Sequence, residues 1–171
     1  YYRSTAISTG LSIEMTSSNG GIFTSGGLPI SWTDVTNFIR TDRTFKDMRE
    51  NTDPERMVVT EFNVASFQTQ HPPFPGGGLP TVVYLADLRP NTATAKHAVA
   101  ITNGQTLPPN GLTLATPNPL YVQGHFNAPN PGTTNTSLSK PASLEADAVT
   151  VLSINWMDTN SVNPLSSRQA L

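Results

Sequence analysis

Gly111-Leu112-Thr113-Leu114-Ala115-Thr116-Pro117-Asn118-Pro119-Leu120-Tyr121-Val122-Gln123-Gly124-His125-Phe126-Asn127 reads as two short apolar strands, broken by a Thr-Pro-Asn-Pro corner and closed by Gly and Asn. Each proline removes a backbone donor, so neither helix nor ladder runs through the corner. Strand, corner, strand on this scale recurs when a chain coils into stacked sheets, so the stretch carries architecture before chemistry.

Further short strands flank it: Thr81 to Ala86, Ala98 to Thr102, Ala142 to Leu144, and Ala148 to Ser153. The gaps between them are turn-punctuated and too tight for crossover helices, which excludes a βαβ arrangement in this half. A mainly β fold follows, a right-handed β-solenoid with one short N-terminal helix, or alternatively a β-sandwich or jelly roll. The solenoid is preferred because Val82 to Ala86 and Val149 to Leu152 are continuously apolar or small instead of strictly alternating. Asn103-Gly104, Gly124 and Asn127 would turn its corners. The polar segment Asn130 to Asn135 would project from one rung.

The N-terminal part reads differently. Leu11-Ser12-Ile13-Glu14-Met15 alternates as a half-buried strand, and Ser17-Ser18-Asn19-Gly20-Gly21 supplies a hairpin turn. Between Ser31 and Arg49, Trp32, Val35, Phe38, Ile39 and Phe45 recur at roughly three- and four-residue intervals, which predicts a helix starting at Ser31 or Thr33 with Asp34 near its positive end. Asn51-Thr52-Asp53-Pro54 breaks the chain, Met57 to Val64 is a strand, and His71 to Gly78 is a crossover loop. The expectation is one β-rich domain over 1–171, with 1–70 as an irregular α+β cap and 80–171 as rungs.

The 171 residues suffice for one domain with a core. Fifteen prolines, 12 glycines and many Ser, Thr and Asn favour turns and strands over helices. Charged residues are only 13% and the net charge is -2, so there is no electrostatic footprint for nucleic acid or an anionic membrane. The absence of cysteine excludes disulfides and thiolate metal sites. No apolar run reaches the length of about 18 residues that a membrane helix needs. The chain begins at Tyr1 without a signal pattern and is read as a segment of a longer protein.

Three blocks carry a family resemblance. Phe45-Lys46-Asp47-Met48-Arg49-Glu50 with Val59-Thr60-Glu61-Phe62-Asn63-Val64, then Gly111 to Asn127, then Ala146-Asp147-Ala148-Val149-Thr150-Val151-Leu152-Ser153-Ile154-Asn155-Trp156-Met157-Asp158 together resemble the extracytoplasmic region of PilX-like pilus-assembly and hypothetical envelope proteins of the Verrucomicrobia and Planctomycetes type. The resemblance implies a structural or assembly role at the bacterial envelope, periplasmic or extracellular. It brings no catalytic residues.

Candidate chemistry is sparse. His71, His97 and His125 are far apart in sequence; stacked rungs could bring His97 and His125 together for zinc or copper, although no HxH or HxxxH spacing supports it. Glu145 and Asp147 on one extended strand would share a face about 7 Å apart and, with Asp158, could serve as acid and base of a glycosidase or hold a cation. A solvated face, with Asp147 capping a corner, is the plainer reading. There is no GxSxG around Ser153 and no Lys-Ser or Lys-Thr after the Gly76-Gly77-Gly78 run. Tyr121, Phe126 and Trp156 could stack on sugar rings, against their commoner use in a core.

Two functions are therefore expected. The first is an assembly or adhesion module that pairs with other chains or itself through β-edges and needs no cofactor. The alternative is a carbohydrate-binding or carbohydrate-cleaving protein that contacts surface glycans.

Overall fold

Alternation in Leu11-Ser12-Ile13-Glu14-Met15 sends Leu11, Ile13 and Met15 into the main core and leaves Ser12 and Glu14 on the opposite face. The same two-residue period recurs along the chain and builds two sheets. The computed structural model describes residues 1–49, 55–69, 74–75 and 77–163.

In order, the elements are α1 (Tyr2–Thr9), β1 (Leu11–Ser17), β2 (Gly20–Ser25), β3 (Leu28–Pro29), α2 (Trp32–Val35), β4 (Ile39–Phe45), β5 (Arg56–Asn63), α3 (Val64–Gln68), β6 (Val82–Asp87), β7 (Ala95–Thr102), β8 (Leu112–Ala115), β9 (Leu120–Gln123), β10 (Ala142–Glu145), β11 (Val149–Leu152) and α4 (Asp158–Val162). One sheet has the order β10-β8-β6-β1-β2-β3, the other β11-β9-β7-β5-β4. Pairing is parallel from β1 through β6 and β8 to β10, and from β5 through β7 and β9 to β11. It is antiparallel for β1–β2, β2–β3 and β4–β5.

This corrects the expected fold. Two mixed sheets with helical segments against them replace the right-handed β-solenoid, and the parallel ladders equally overturn a jelly roll, whose strands are antiparallel. The N-terminal part contributes strands to both sheets: β1 and β5 lie inside them, and β2, β3 and β4 extend them. The misleading signal was the continuously apolar runs. In Val82 to Ala86 the run reflects burial or half-burial on both sheet faces, as parallel strands show when something covers the second face, whereas in Val149 to Leu152 only Leu152 is buried. Here α1 lies against β1, β2 and β6, and Arg3 reaches Glu14 with two hydrogen bonds of 2.8 and 3.1 Å. The outer face of the five-stranded sheet is covered by the segment around Trp156.

The helix expected between Ser31 and Arg49 is also corrected. Only Trp32–Val35 is helical, closed by a capping box in which Asp34 accepts from the Ser31 backbone. Ile39–Phe45 is a strand in which Ile39, Thr41, Arg43 and Phe45 are buried and the residues between them exposed. Spacings of three and four between bulky residues across a turn mimicked a helical period.

Between the sheets, Ile13, Leu85, Phe62, Ile101, Leu114 and Val122 form the main core with Phe38, Phe67 and Phe74. The Pro-Asn-Pro corner is stitched by a side chain acting as backbone. Asn118 Oδ1 accepts from the Asp87 N–H and its Nδ2 donates to the Asp87 carbonyl, both at 2.9 Å. Asn127, at φ 51°, does the same across the 128–139 excursion, bonding Lys140 N–H at 2.8 Å and its carbonyl at 2.7 Å. Gly111 sits at φ 85° with Pro141 O only 2.2 Å from where a Cβ would stand, so no side chain fits where the two turns stack. His71 and the Arg168 to Leu171 end lie outside the described residues.

Candidate functional site

The outer face of the five-stranded sheet carries the other parity of its strands: Phe45, Met57, Val59, Ala98, Ala100, Tyr121 and Leu152, with Trp156 packed over them. Ala98 and Ala100 leave room for large rings above them. Phe45 meets Tyr121 edge-on at 4.9 Å between centroids and Trp156 at 5.7 Å.

Arg43 clips the covering segment down. Its Nε and Nη2 donate to the two carboxylate oxygens of Asp158 at 2.9 Å each, Nη1 donates to Glu61 at 3.2 Å, and Nη2 also reaches Gln123 at 2.6 Å. Trp156 Nε1 donates to Asp158 Oδ1 at 2.9 Å, and Gln123 Nε2 to the Trp156 carbonyl at 3.3 Å. The paired donors of a guanidinium suit a carboxylate in this bidentate way, which a lysine could not reproduce.

Two clefts share Trp156 as a wall. One, of about 410 Å³, lies between Lys46 to Arg49, the outer face at Tyr121 and Leu152, and the Trp156 to Ser161 segment. It is mostly apolar, with Asp47 and Arg49 at its side. Asp47 accepts from Arg49 Nε at 3.0 Å, from Arg49 Nη2 at 2.6 Å and from the Tyr121 hydroxyl at 2.9 Å. Burial pushes the Asp47 carboxyl up, but these bonds outweigh it and hold it below the ordinary carboxylate range. The other cleft, of about 460 Å³, is polar and is lined by Arg40, Arg43, Glu61, Asn103, Gln123 and Asp158 among others.

The sequence candidates scatter. Trp156, Tyr121 and Asp158 meet at this face, but Tyr121 is buried under Phe45 and cannot offer its ring to a ligand. Phe126 packs instead against Gly104 and the main core. Glu145 ends β10 and accepts from Ser143 at 3.0 Å, while Asp147 is exposed in the following corner and outside the strand, so the shared strand face does not form. Ser153 accepts from the Asn155 backbone at 3.1 Å. His97 starts β7 beside Asp87, with Nδ1 and Oδ2 3.4 Å apart; β9 already ends at Gln123, about five residues or 16 Å further along the ladder, and His125 lies beyond. Among the described residues no three His, Asp or Glu side chains converge on a metal position.

Arg43, Glu61, Asp47, Arg49 and Asn160 were missed. The Asp47-x-Arg49 spacing was legible as a pattern, but nothing in the order of residues places Arg43 beside Asp158, 115 positions away.

A different feature lies at one end of both sheets. β10 and β11 are each the terminal strand. Ala148 and Leu152 carbonyls bond to Leu120 and Gly124 N–H groups, and Pro141 and Glu145 carbonyls to Leu112 and Thr116. By the alternation of a strand, the backbone groups of Val149, Val151, Ala142 and Leu144 face outward. Val149 and Val151 continue the inner rows of Leu120 and Val122, yet are 51% and 74% exposed. The opposite end is protected: β3 is two residues long with Pro29 in it, and β4 carries exposed Arg40 and Asp42 beside a bulge.

No helix among the described residues is long and apolar enough to cross a membrane. No protein-family model, curated protein or solved structure matches the chain.

Proposed function

We propose that the chain is a structural interaction module of a bacterial envelope or pilus-related surface protein, acting by self-association through the β10 and β11 end. The observation that carries this reading is the pair of terminal edges, side by side, that no described strand covers, with Glu145 their one charged residue and Val149 and Val151 exposed on the core side. A two-fold axis along the sheet normal pairs β10 with β10 and β11 with β11 of a second copy, antiparallel in both sheets at once. The two half-open cores then close on each other. Because the β3 and β4 end is shielded by Pro29, Arg40 and Asp42, this contact is isologous and stops at two copies instead of growing a filament. The envelope setting is supported by the three-block resemblance.

Light scattering over a concentration series tests it. The mass is expected to rise toward twice that of one chain, and Val151→Lys should hold it at one chain without lowering thermal stability, since Val151 is already 74% exposed. A particle that stays monomeric at high concentration overturns the reading.

One observation favours carbohydrate binding as a second reading: the polar cleft sets Trp156 beside Glu61, Asn103 and Gln123. Glycan-array binding abolished by Trp156→Ala would support it, and an array with no signal would remove it.

A further inference from the structure

The apolar cleft over β9 and β11 has one polar defect in its wall. Asn160 Nδ2 is buried and has no hydrogen-bond partner among the described residues. An amide donor left so is costly unless something arrives to accept from it. Around it stand Trp156 and Leu152, with Met48 and Met157 at the mouth, 56% and 45% exposed. Methionines at a mouth adapt their shape and make favourable sulfur contacts with aromatic rings. On the same wall Asp47 is an acceptor and Thr150 carries a hydroxyl that already accepts from Arg49 at 3.1 Å.

The chemistry of these walls selects among ligands. A pyranose needs many polar partners around its ring, and this lining is mainly apolar. A carboxylate would have to compete for Lys46 and Arg49, which line the cleft beside Asp47 but are already engaged, Arg49 with Asp47 itself. A neutral amide fits both polar groups, its carbonyl accepting from Asn160 Nδ2 and its N–H donating toward the Asp47 and Thr150 side.

We infer that this cleft binds an aromatic side chain carried on a neutral amide, which is the chemistry of a phenylalanine residue within a polypeptide. The ring lies among Trp156, Leu152, Met48 and Met157, and the amide answers Asn160. The volume of about 410 Å³ falls within the ordinary range for such sites. The site uses the outer face of β11 and is bordered by Val151, whereas Val149 of the same edge lies outside it.

Amide-resolved NMR titration with N-acetyl-L-phenylalaninamide tests this, run on Val149→Lys protein, whose changed residue lies on the β11 edge outside the cleft lining, so that association at that edge cannot contribute. Expected are saturable shifts at Thr150, Leu152, Met157 and the Asn160 side-chain amide. Phenylacetate and methyl β-D-glucopyranoside should bind at least about fivefold more weakly. Asn160→Leu should weaken binding about fivefold, the factor that one lost hydrogen bond gives. Met157→Glu, at an exposed position that the fold does not depend on, should weaken it by at least as much. No shifts at these residues, a glucoside that binds as well as the amide, or binding unmoved by both variants would each overturn the inference.

Discussion

Replacing Arg43 by Met removes the clip that holds the C-terminal segment on the five-stranded sheet while keeping an unbranched apolar stem. The guanidinium, 7% exposed, makes two bonds to Asp158, one to Glu61 and one to Gln123, and lies 5.5 Å from the centre of the Phe45 ring. Breaking one side of a buried ion pair costs about 3 to 5 kcal/mol, most of it from the charge left behind. The carboxylates left behind here are 17% and 31% exposed, so water reaches them in part and the cost falls at the lower end, about 3 kcal/mol. In a domain of this size that lowers Tm by about 6 to 12 °C. Urea unfolding followed by far-UV circular dichroism gives the number, with the slope expected to stay unchanged. Asp158→Asn keeps the shape but loses the charge, and its effect should overlap that of Arg43→Met, leaving a coupling of at least about 1 kcal/mol in the double-mutant cycle. The emission of Trp156 should shift to the red in Arg43→Met, because its indole N–H is held by Asp158. A cost under about 1 kcal/mol, or strict additivity, would refute the account of Arg43 as the clip.

Asn118→Ala should cost about 2 kcal/mol by urea unfolding, because it leaves both the N–H and the carbonyl of Asp87 without their surrogate strand partner. Gly111→Ala is expected to lose at least about 2 kcal/mol, since φ 85° disfavours any side chain and the Pro141 oxygen occupies the Cβ position; wild-type stability in that variant would mean that the two turns separate easily. Asp47 titrates lower when folded than when unfolded, so its stabilisation is complete above its unfolded pKa of about 3.9 and fades as pH falls through the folded value. Accordingly, the urea midpoints of wild type and Asp47→Asn should differ by a constant amount above about pH 5 and converge toward pH 2. A gap that stays constant down to pH 2 would refute the role of the Asp47 charge.

Much of the strand pattern was legible because it depends on neighbours in sequence. Pro117 and Pro119 interrupt any ladder, and β8 and β9 fall on either side of them. The Leu11 to Met15 alternation and the Ser17 to Gly20 turn give the β1–β2 hairpin. The helical reading of Ser31 to Arg49 failed because bulky residues on both sides of a turn, Val35 and Phe38 against Ile39 and Phe45, imitate a helical stripe when only spacing is counted. What covers the second face of a strand is equally invisible. Ala98 and Ala100 look like generic small residues until Phe45, Tyr121 and Trp156 are seen above them.

The candidate site shows the same division. Tyr121, Trp156 and Asp158 were picked out by residue type, and all three lie at the five-stranded sheet's outer face. Their roles were not readable, since Tyr121 is a buried donor to Asp47 and Asp158 is held by Arg43.

Where the chain must turn and where it can extend is written in the order of its residues, because proline, glycine and asparagine act through the backbone of their own few residues. Which strands lie side by side, how the parallel ladders run into antiparallel hairpins, and the place of β10 and β11 at the ends of both sheets among the described residues emerge only in the folded chain. Those outcomes depend on contacts between residues up to 115 positions apart, such as Arg43 with Asp158. Local propensity carries no information about such pairs, which form only when burial and charge pairing across the whole core favour one arrangement over the others.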